Sequence, residues 1–155
     1  MSETGIALGS KAPAFTLKDQ DEKDVSLSDM AGKKVVVAFH PLAWTSVCTQ
    51  QMQDLESNRD EYAGRGAVAI GLSVDSVPCK TAWAKEIGVT HTRLLADFWP
   101  HGGVAAAFGV FRERNGFSER AVFVLDADGV VAWKKVYPIR ERPDVKEILA
   151  AVDAA

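Results

Sequence analysis

One run, Lys34-Val35-Val36-Val37-Ala38-Phe39, constrains the fold more than any other feature. It is apolar almost without interruption and rich in β-branched side chains. A strand made from it has no polar face, so it has to be covered on both sides, as in a parallel sheet between two layers. Pro41 stops the run. A second run of the same character spans Ala67 to Val74. Between the two, Cys48, Met52, Leu55 and Tyr62 recur at steps of four, three and seven, which is one face of a helix, closed by Gly64 and Gly66. Strand, helix and strand in this order predict a right-handed βαβ unit with parallel strands.

The flanking segments extend that unit. In residues 13–27, Phe15 and Leu17 alternate with polar neighbours, Asp19-Gln20-Asp21-Glu22 reads as a turn, and Val25 and Leu27 resume the alternation, which predicts a small hairpin. Pro78 suits the first turn of a helix running to about Gly88. Leu94 and Leu95 begin a short strand, and His101 to Phe108 reads as a short helix. Ala121–Leu125 and Val130–Trp133 flank Ala127-Asp128-Gly129, an Asp-Gly signal for an antiparallel hairpin. Residues 142–153 close the chain as an amphipathic helix with Val145, Ile148, Leu149 and Val152 on one face. A parallel βαβ half followed by a hairpin and a last helix is the element order of the thioredoxin fold. The expectation is one α/β domain over 1–155, with a mixed central sheet flanked by helices.

A chain of 155 residues is long enough to bury a core. No repeat, low-complexity tract or linker divides it. A formal charge of −3 with no basic cluster argues against nucleic acid or an anionic membrane as partner. No stretch approaches the roughly 18 apolar residues that span a bilayer. The start, Met-Ser-Glu-Thr-Gly, lacks a basic segment followed by an apolar one, which predicts no secretory leader and a reducing, cytoplasmic setting. There, two cysteines point to redox chemistry or metal binding rather than to a static bridge. Two cysteines make a poor zinc site, and His40, His91 and His101 show no ligand spacing with them, so neither a metal nor a cofactor is expected.

Cys48 stands out by position. With Thr45 as N-cap, it is the third helical residue, where free backbone N–H groups and the helix dipole favour a thiolate, the nucleophilic form. It follows the end of a buried strand, and sites in open α/β sheets gather at that edge. Pro41 fixes the intervening loop and shields the sulfur. The bland alternative is a small buried hydrophobe in an amphipathic helix.

The segment Pro41-Leu42-Ala43-Trp44-Thr45-Ser46-Val47-Cys48 carries the Pro-x-x-x-Thr-x-x-Cys pattern, and the chain resembles the peroxiredoxins. Ala12–Leu17, Gly71–Asp75 and Arg120–Asp126 are similar to other segments of that family. Asp97-Phe98-Trp99-Pro100-His101-Gly102, followed by Ala107–Val110, resembles the alkyl hydroperoxide reductase E proteins. The resemblance covers nearly the whole chain. It implies a thiol peroxidase acting on hydrogen peroxide and organic hydroperoxides, with Cys48 as the attacking sulfur. Thr45 then hydrogen-bonds the peroxide, and Arg120 stabilises the thiolate and the charge that develops as the O–O bond breaks. Many relatives carry Glu three residues after the nucleophile, where it orients the arginine; Gln51 stands there as a supporting residue without charge. His40 replaces the relatives' Tyr or Phe and reads as a partly buried polar residue at a strand end.

Cys79 also follows a parallel strand and sits in a helix's first turn, so both thiols belong to one side of the domain. Some peroxiredoxins keep a resolving cysteine in this region. Two alternatives stand: Cys79 resolves the sulfenic acid of Cys48 as a disulfide that a thioredoxin-like dithiol reduces, or it is a bystander and an outside thiol resolves Cys48. A disulfide needs Cα atoms roughly 4.4–6.8 Å apart, so one helix start has to unwind if the two lie further off. A Cys-x-x-Cys reductase is excluded by the sequence after Cys48; a non-catalytic binding module with the same fold is the remaining competitor. The resemblance also implies a homodimer, with Trp44 and Trp99 near the contact.

Overall fold

The computed structural model describes residues 4–155. Its centre is a five-stranded sheet. The strand of Lys34–Phe39 (β3) lies in the middle, parallel to Ala67–Ser73 (β4), which in turn pairs in parallel with Arg93–Ala96 (β5). On the other side of β3, Arg120–Leu125 (β8) runs antiparallel and pairs with Val131–Tyr137 (β9). The order is β5-β4-β3-β8-β9, a mixed sheet. A separate hairpin joins Thr16–Lys18 (β1) to Asp24–Ser26 (β2), as the alternation around Phe15 and Val25 predicts.

The unbroken apolar character of β3 has its cause in two cores. Val36 and Ala38 face one, with Val122 and Val124 of β8. This side is covered by helices: Ser46–Ser57 (α1), Arg59–Gly64 (α2), Val77–Ile87 (α3) and Val145–Ala154 (α5), which contribute Met52, Tyr62, Trp83 and Ile148. Val35, Val37 and Phe39 face the other core with Phe123 and Leu125. The short helix Gly103–Ala107 (α4), Phe108 and the β1–β2 hairpin close that side. Adjacent positions of one strand are thus buried on opposite faces.

Several boundaries differ from the sequence expectation, each for a local reason. The helix carrying Cys48 does not run unbroken to Tyr62. It stops at Ser57, and Asn58 leaves helical geometry at φ −102°, ψ 13°. The Asn58 amide donates to the Asp54 carbonyl at 2.9 Å, so a side chain shares the acceptor of the last backbone bond, and a second short helix starts afresh. The helix after His101 starts only at Gly103, because Gly102 takes a left-handed φ of 67°. The last helix starts at Val145 rather than 142: Pro143 disfavours helical geometry at Arg142, and Asp144 caps the helix by accepting from the Lys146 N–H. A 3-10 turn at Leu27–Met30 and a hairpin of Phe111–Arg112 (β6) with Phe117–Ser118 (β7) are too short to leave a period in the sequence.

Candidate active site

Because β3 and β4 are parallel neighbours, the segments that follow them leave the sheet at the same edge. After Phe39 the chain passes through His40 and Pro41, both buried, and enters a loop ending at Thr45. Thr45 is extended, with φ −94° and ψ 153°, and is the N-cap of α1, so Cys48 is the third helical residue. The Thr45 hydroxyl does not cap the helix; it donates to the Leu42 carbonyl at 2.8 Å. Trp44 is held at φ +70°, a region that bulky residues rarely adopt. Next to it, the Ala43 N–H donates to Asp75 at 2.8 Å and ties this loop to the segment after β4.

Arg120 opens β8, opposite Tyr137 of β9, and is buried. Its Nη1 donates to Cys48 Sγ at 3.3 Å and to Gln51 Oε1 at 2.8 Å, and its Nε donates to the Ile139 carbonyl at 2.9 Å. Gln51 lies one helical turn beyond Cys48, which brings its amide to the same guanidinium. The amide's Nε2 is buried and has no hydrogen-bond partner among the described residues. Cys48 itself is fully enclosed. The buried sulfur thus lies in the first turn of a helix and faces a guanidinium held by two further acceptors.

Cys79 occupies the matching position in α3. Ser76 is the N-cap and accepts from the Cys79 N–H at 3.3 Å, so Cys79 too is a third helical residue, and Pro78 precedes it in the first turn. Its electrical setting is the reverse. The thiol points at Asp75 Oδ1 at 3.7 Å. Burial and then the Asp75 charge push the thiol up, against weaker opposing contributions from Trp44 and Lys80. Asp75 also accepts from Ser73 Oγ at 2.5 Å. One carboxylate therefore holds both the loop before Cys48 and the Cys79 thiol. Both cysteines are free.

Sequence reasoning missed one residue of this region, Lys80. It is wholly buried, and its Nζ lies 2.8 Å from His40 Nε2. The signal was present in the pattern: Lys80, Trp83 and Ala84 form the buried stripe of α3, so a lysine falls on an apolar face. His40, expected to be partly buried, is buried completely. Of the tryptophans, Trp83 lies in the core, while Trp44 and Trp99 are 54% and 80% exposed.

A model described as the AhpC/TSA family matches residues 8–134. The chain is 36% identical over 153 residues to the alkyl hydroperoxide reductase E of Mycobacterium tuberculosis, covering 96% of this chain and 99% of that one. It is 35% identical over 156 residues to the thioredoxin peroxidase of Echinococcus granulosus, covering 95% of this chain and 80% of that one. Among solved structures, the reduced 2-Cys peroxiredoxin of Plasmodium vivax superposes with a TM-score of 0.85 at 28% identity, over 95% of this chain and 80% of that one.

Proposed function

Because the chain belongs to the AhpC/TSA family and is a peroxiredoxin, a thiol-dependent peroxidase, we propose that Cys48 is the sulfur that attacks the peroxide. The observation that carries this reading is the 3.3 Å hydrogen bond from Arg120 to Cys48 Sγ, made by a guanidinium already fixed by Gln51 and Ile139. The Cys48 thiolate displaces one oxygen of hydrogen peroxide or an organic hydroperoxide. A sulfur–oxygen bond forms as the O–O bond breaks, the proton of the attacked oxygen passes to the departing oxygen, which leaves as water or an alcohol, and the sulfenate takes a proton from solvent to become the sulfenic acid. Arg120 stabilises the thiolate and then the oxygen that takes up charge. The Thr45 hydroxyl donates its hydrogen bond to the Leu42 carbonyl, so its oxygen is free to accept from the peroxide O–H. Pro41 fixes the start of the loop that presents both groups.

The sulfenic acid on Cys48 is then resolved by Cys79: the two sulfurs bond, and the sulfenic oxygen leaves as water with the thiol proton. A thioredoxin-like dithiol reduces the disulfide. Matching helix-start positions on neighbouring parallel strands support this step. A one-cysteine course, with an outside thiol resolving Cys48, is favoured by one observation: burial, and after it the Asp75 carboxylate 3.7 Å away, push Cys79 toward the thiol, the slower nucleophile. The protein works in the cytoplasm as a homodimer, with exposed Trp44 and Trp99 near the contact.

The test is peroxide consumption with a dithiol by the wild type and Cys48→Ser, together with mass spectrometry after one equivalent of hydrogen peroxide. Loss of activity in the variant is expected, with a 48–79 linkage in the wild type. Retained activity rejects Cys48. A persistent sulfenic acid without the linkage rejects Cys79 and leaves the one-cysteine course.

A further inference from the structure

Asp75 does more than face the Cys79 thiol. It follows β4, at the sheet edge where β3 also ends, and it is half-buried. Its Oδ2 accepts from the Ser73 hydroxyl at 2.5 Å and from the Ala43 N–H at 2.8 Å. Ser73 is buried in the last position of β4 and is paired with Ala96 of β5, so the carboxylate is held from the sheet. The Cys79 thiol uses the other oxygen, Oδ1. The bond from Ala43 therefore anchors the loop before Cys48 to a rigid strand end.

That anchor acts on one particular peptide. The Ala43 N–H and the Leu42 carbonyl belong to the same planar trans unit, so they point in opposite directions and turn together. The Leu42 carbonyl accepts from the Thr45 hydroxyl at 2.8 Å. Asp75 on one side of the unit thus sets the direction of the carbonyl on the other, and the carbonyl sets the rotation of the Thr45 hydroxyl. A hydrogen bond to a carboxylate is about twice as strong as one between neutral groups. It also polarises the peptide and makes its carbonyl a better acceptor. Between the two tied residues, Trp44 is held at φ +70°. A bulky residue stays in that region only where its surroundings fix it.

We propose that Asp75 is a positioning residue of the peroxide site: through the Leu42–Ala43 peptide it fixes the Thr45 hydroxyl, with its hydrogen bond donated to Leu42 and its lone pairs left for the peroxide. Ser73 serves Asp75 in turn by holding Oδ2. The inference rests on Thr45 being a group that receives the peroxide. The first step of the reaction then depends on a side chain at the exit of β4, and Cys79 takes no part in that dependence.

The test is single-turnover oxidation of the reduced protein by hydrogen peroxide, read as sulfenic acid at Cys48 by chemical trapping and mass spectrometry. Asp75→Ala removes the acceptor and is expected to slow this step about tenfold, within what a small misplacement of a positioning group costs. Asp75→Asn keeps an oxygen for the Ala43 N–H and is expected to recover most of the rate. The decisive comparison is a Thr45→Val background, where the group that Asp75 positions is gone and Asp75→Ala is expected to slow the step no further. Equal slowing by Asp75→Ala in both backgrounds marks a general structural defect and overturns the proposal; so does an Asp75→Ala rate equal to wild type. An Asp75→Asn protein as slow as Asp75→Ala assigns the effect to the lost charge and overturns it too. If Asp75→Ala does not fold, Asp75→Leu, which fills the space without an acceptor, goes through the same cycle. Thr45→Val also separates the two readings. If it reacts as fast as wild type, the Thr45 contact itself fails and the proposal with it; if it is slow and the Asp75→Ala losses are equal in both backgrounds, only the role of Asp75 fails.

Discussion

Arg120 Nη1 donates to Cys48 Sγ at 3.3 Å and to Gln51 Oε1 at 2.8 Å, so one nitrogen links the sulfur to the helix turn that follows it. The Nε bond to Ile139 fixes the plane of the fork. A lysine cannot make these three bonds from one compact ammonium. Arg120→Lys is therefore expected to lower the rate of reaction with peroxide by about 10²–10³-fold, the usual loss for a donor aimed at developing charge. Far-UV and near-UV circular dichroism should stay close to wild type. A rate within threefold of wild type would show that the guanidinium does no work in the reaction.

Thr45 poses a sharper comparison. Its hydroxyl proton is committed to Leu42, which leaves oxygen lone pairs for a peroxide O–H. Thr45→Ser keeps that arrangement and is expected to retain at least a tenth of the activity. Thr45→Val keeps the shape, loses the acceptor, and is expected to fall by about 10²-fold. Steady-state peroxidase assays distinguish the two; equal losses in Ser and Val would assign the effect to loop packing.

Much of this site was legible because it is built from local rules. Thr45 as N-cap and Cys48 three residues into the helix follow from the spacing after Pro41, and the apolar β3 run announces a sheet buried on both faces. The break at Asn58 was not legible, since it depends on which side chain wins the Asp54 carbonyl. Nor was the union of Arg120 with Cys48, which lie far apart in sequence and meet only because β8 returns antiparallel beside β3. The family resemblance supplied that pairing as an expectation; periodicity did not. Lys80 escaped notice for a different reason. A charged residue on an apolar stripe is ordinarily taken as an edge position, and Lys80 is buried against His40 from the segment just past β3.

Asp75 sets the contrast between the two cysteines. Its carboxylate raises the Cys79 thiol after burial has done so, and it holds the Ala43 N–H of the opposing loop. In a Cys48→Ser background, where Cys79 alone reports, Asp75→Asn is expected to shift the pH midpoint of Cys79 alkylation downward. It should also loosen the Trp44 loop, seen as a change in tryptophan emission. An unmoved midpoint would mean that burial alone governs this thiol.

Glu56 gives the fold its clearest dependence on pH. The side chain is nearly buried at the end of α1 and accepts from the backbone N–H groups of Thr90, His91 and Thr92, the last at 2.8 Å. Burial alone would raise its pKa, but these donors, led by Thr92, overcome that and hold it at about 2 against an ordinary 4.5. A carboxyl lowered in the folded state stabilises the protein above its unfolded value and loses that contribution as pH falls through the folded one. The shift corresponds to about 3 kcal/mol, present above pH 5 and gone near pH 2. Glu56→Gln turns an NH2 toward donors and is expected to cost about 2–3 kcal/mol at pH 7. Urea unfolding across pH 7 to 2.5 should show the variant less stable at neutral pH, with the two proteins converging in acid. A gap that persists in acid would assign the loss to packing instead of to the ionised carboxylate.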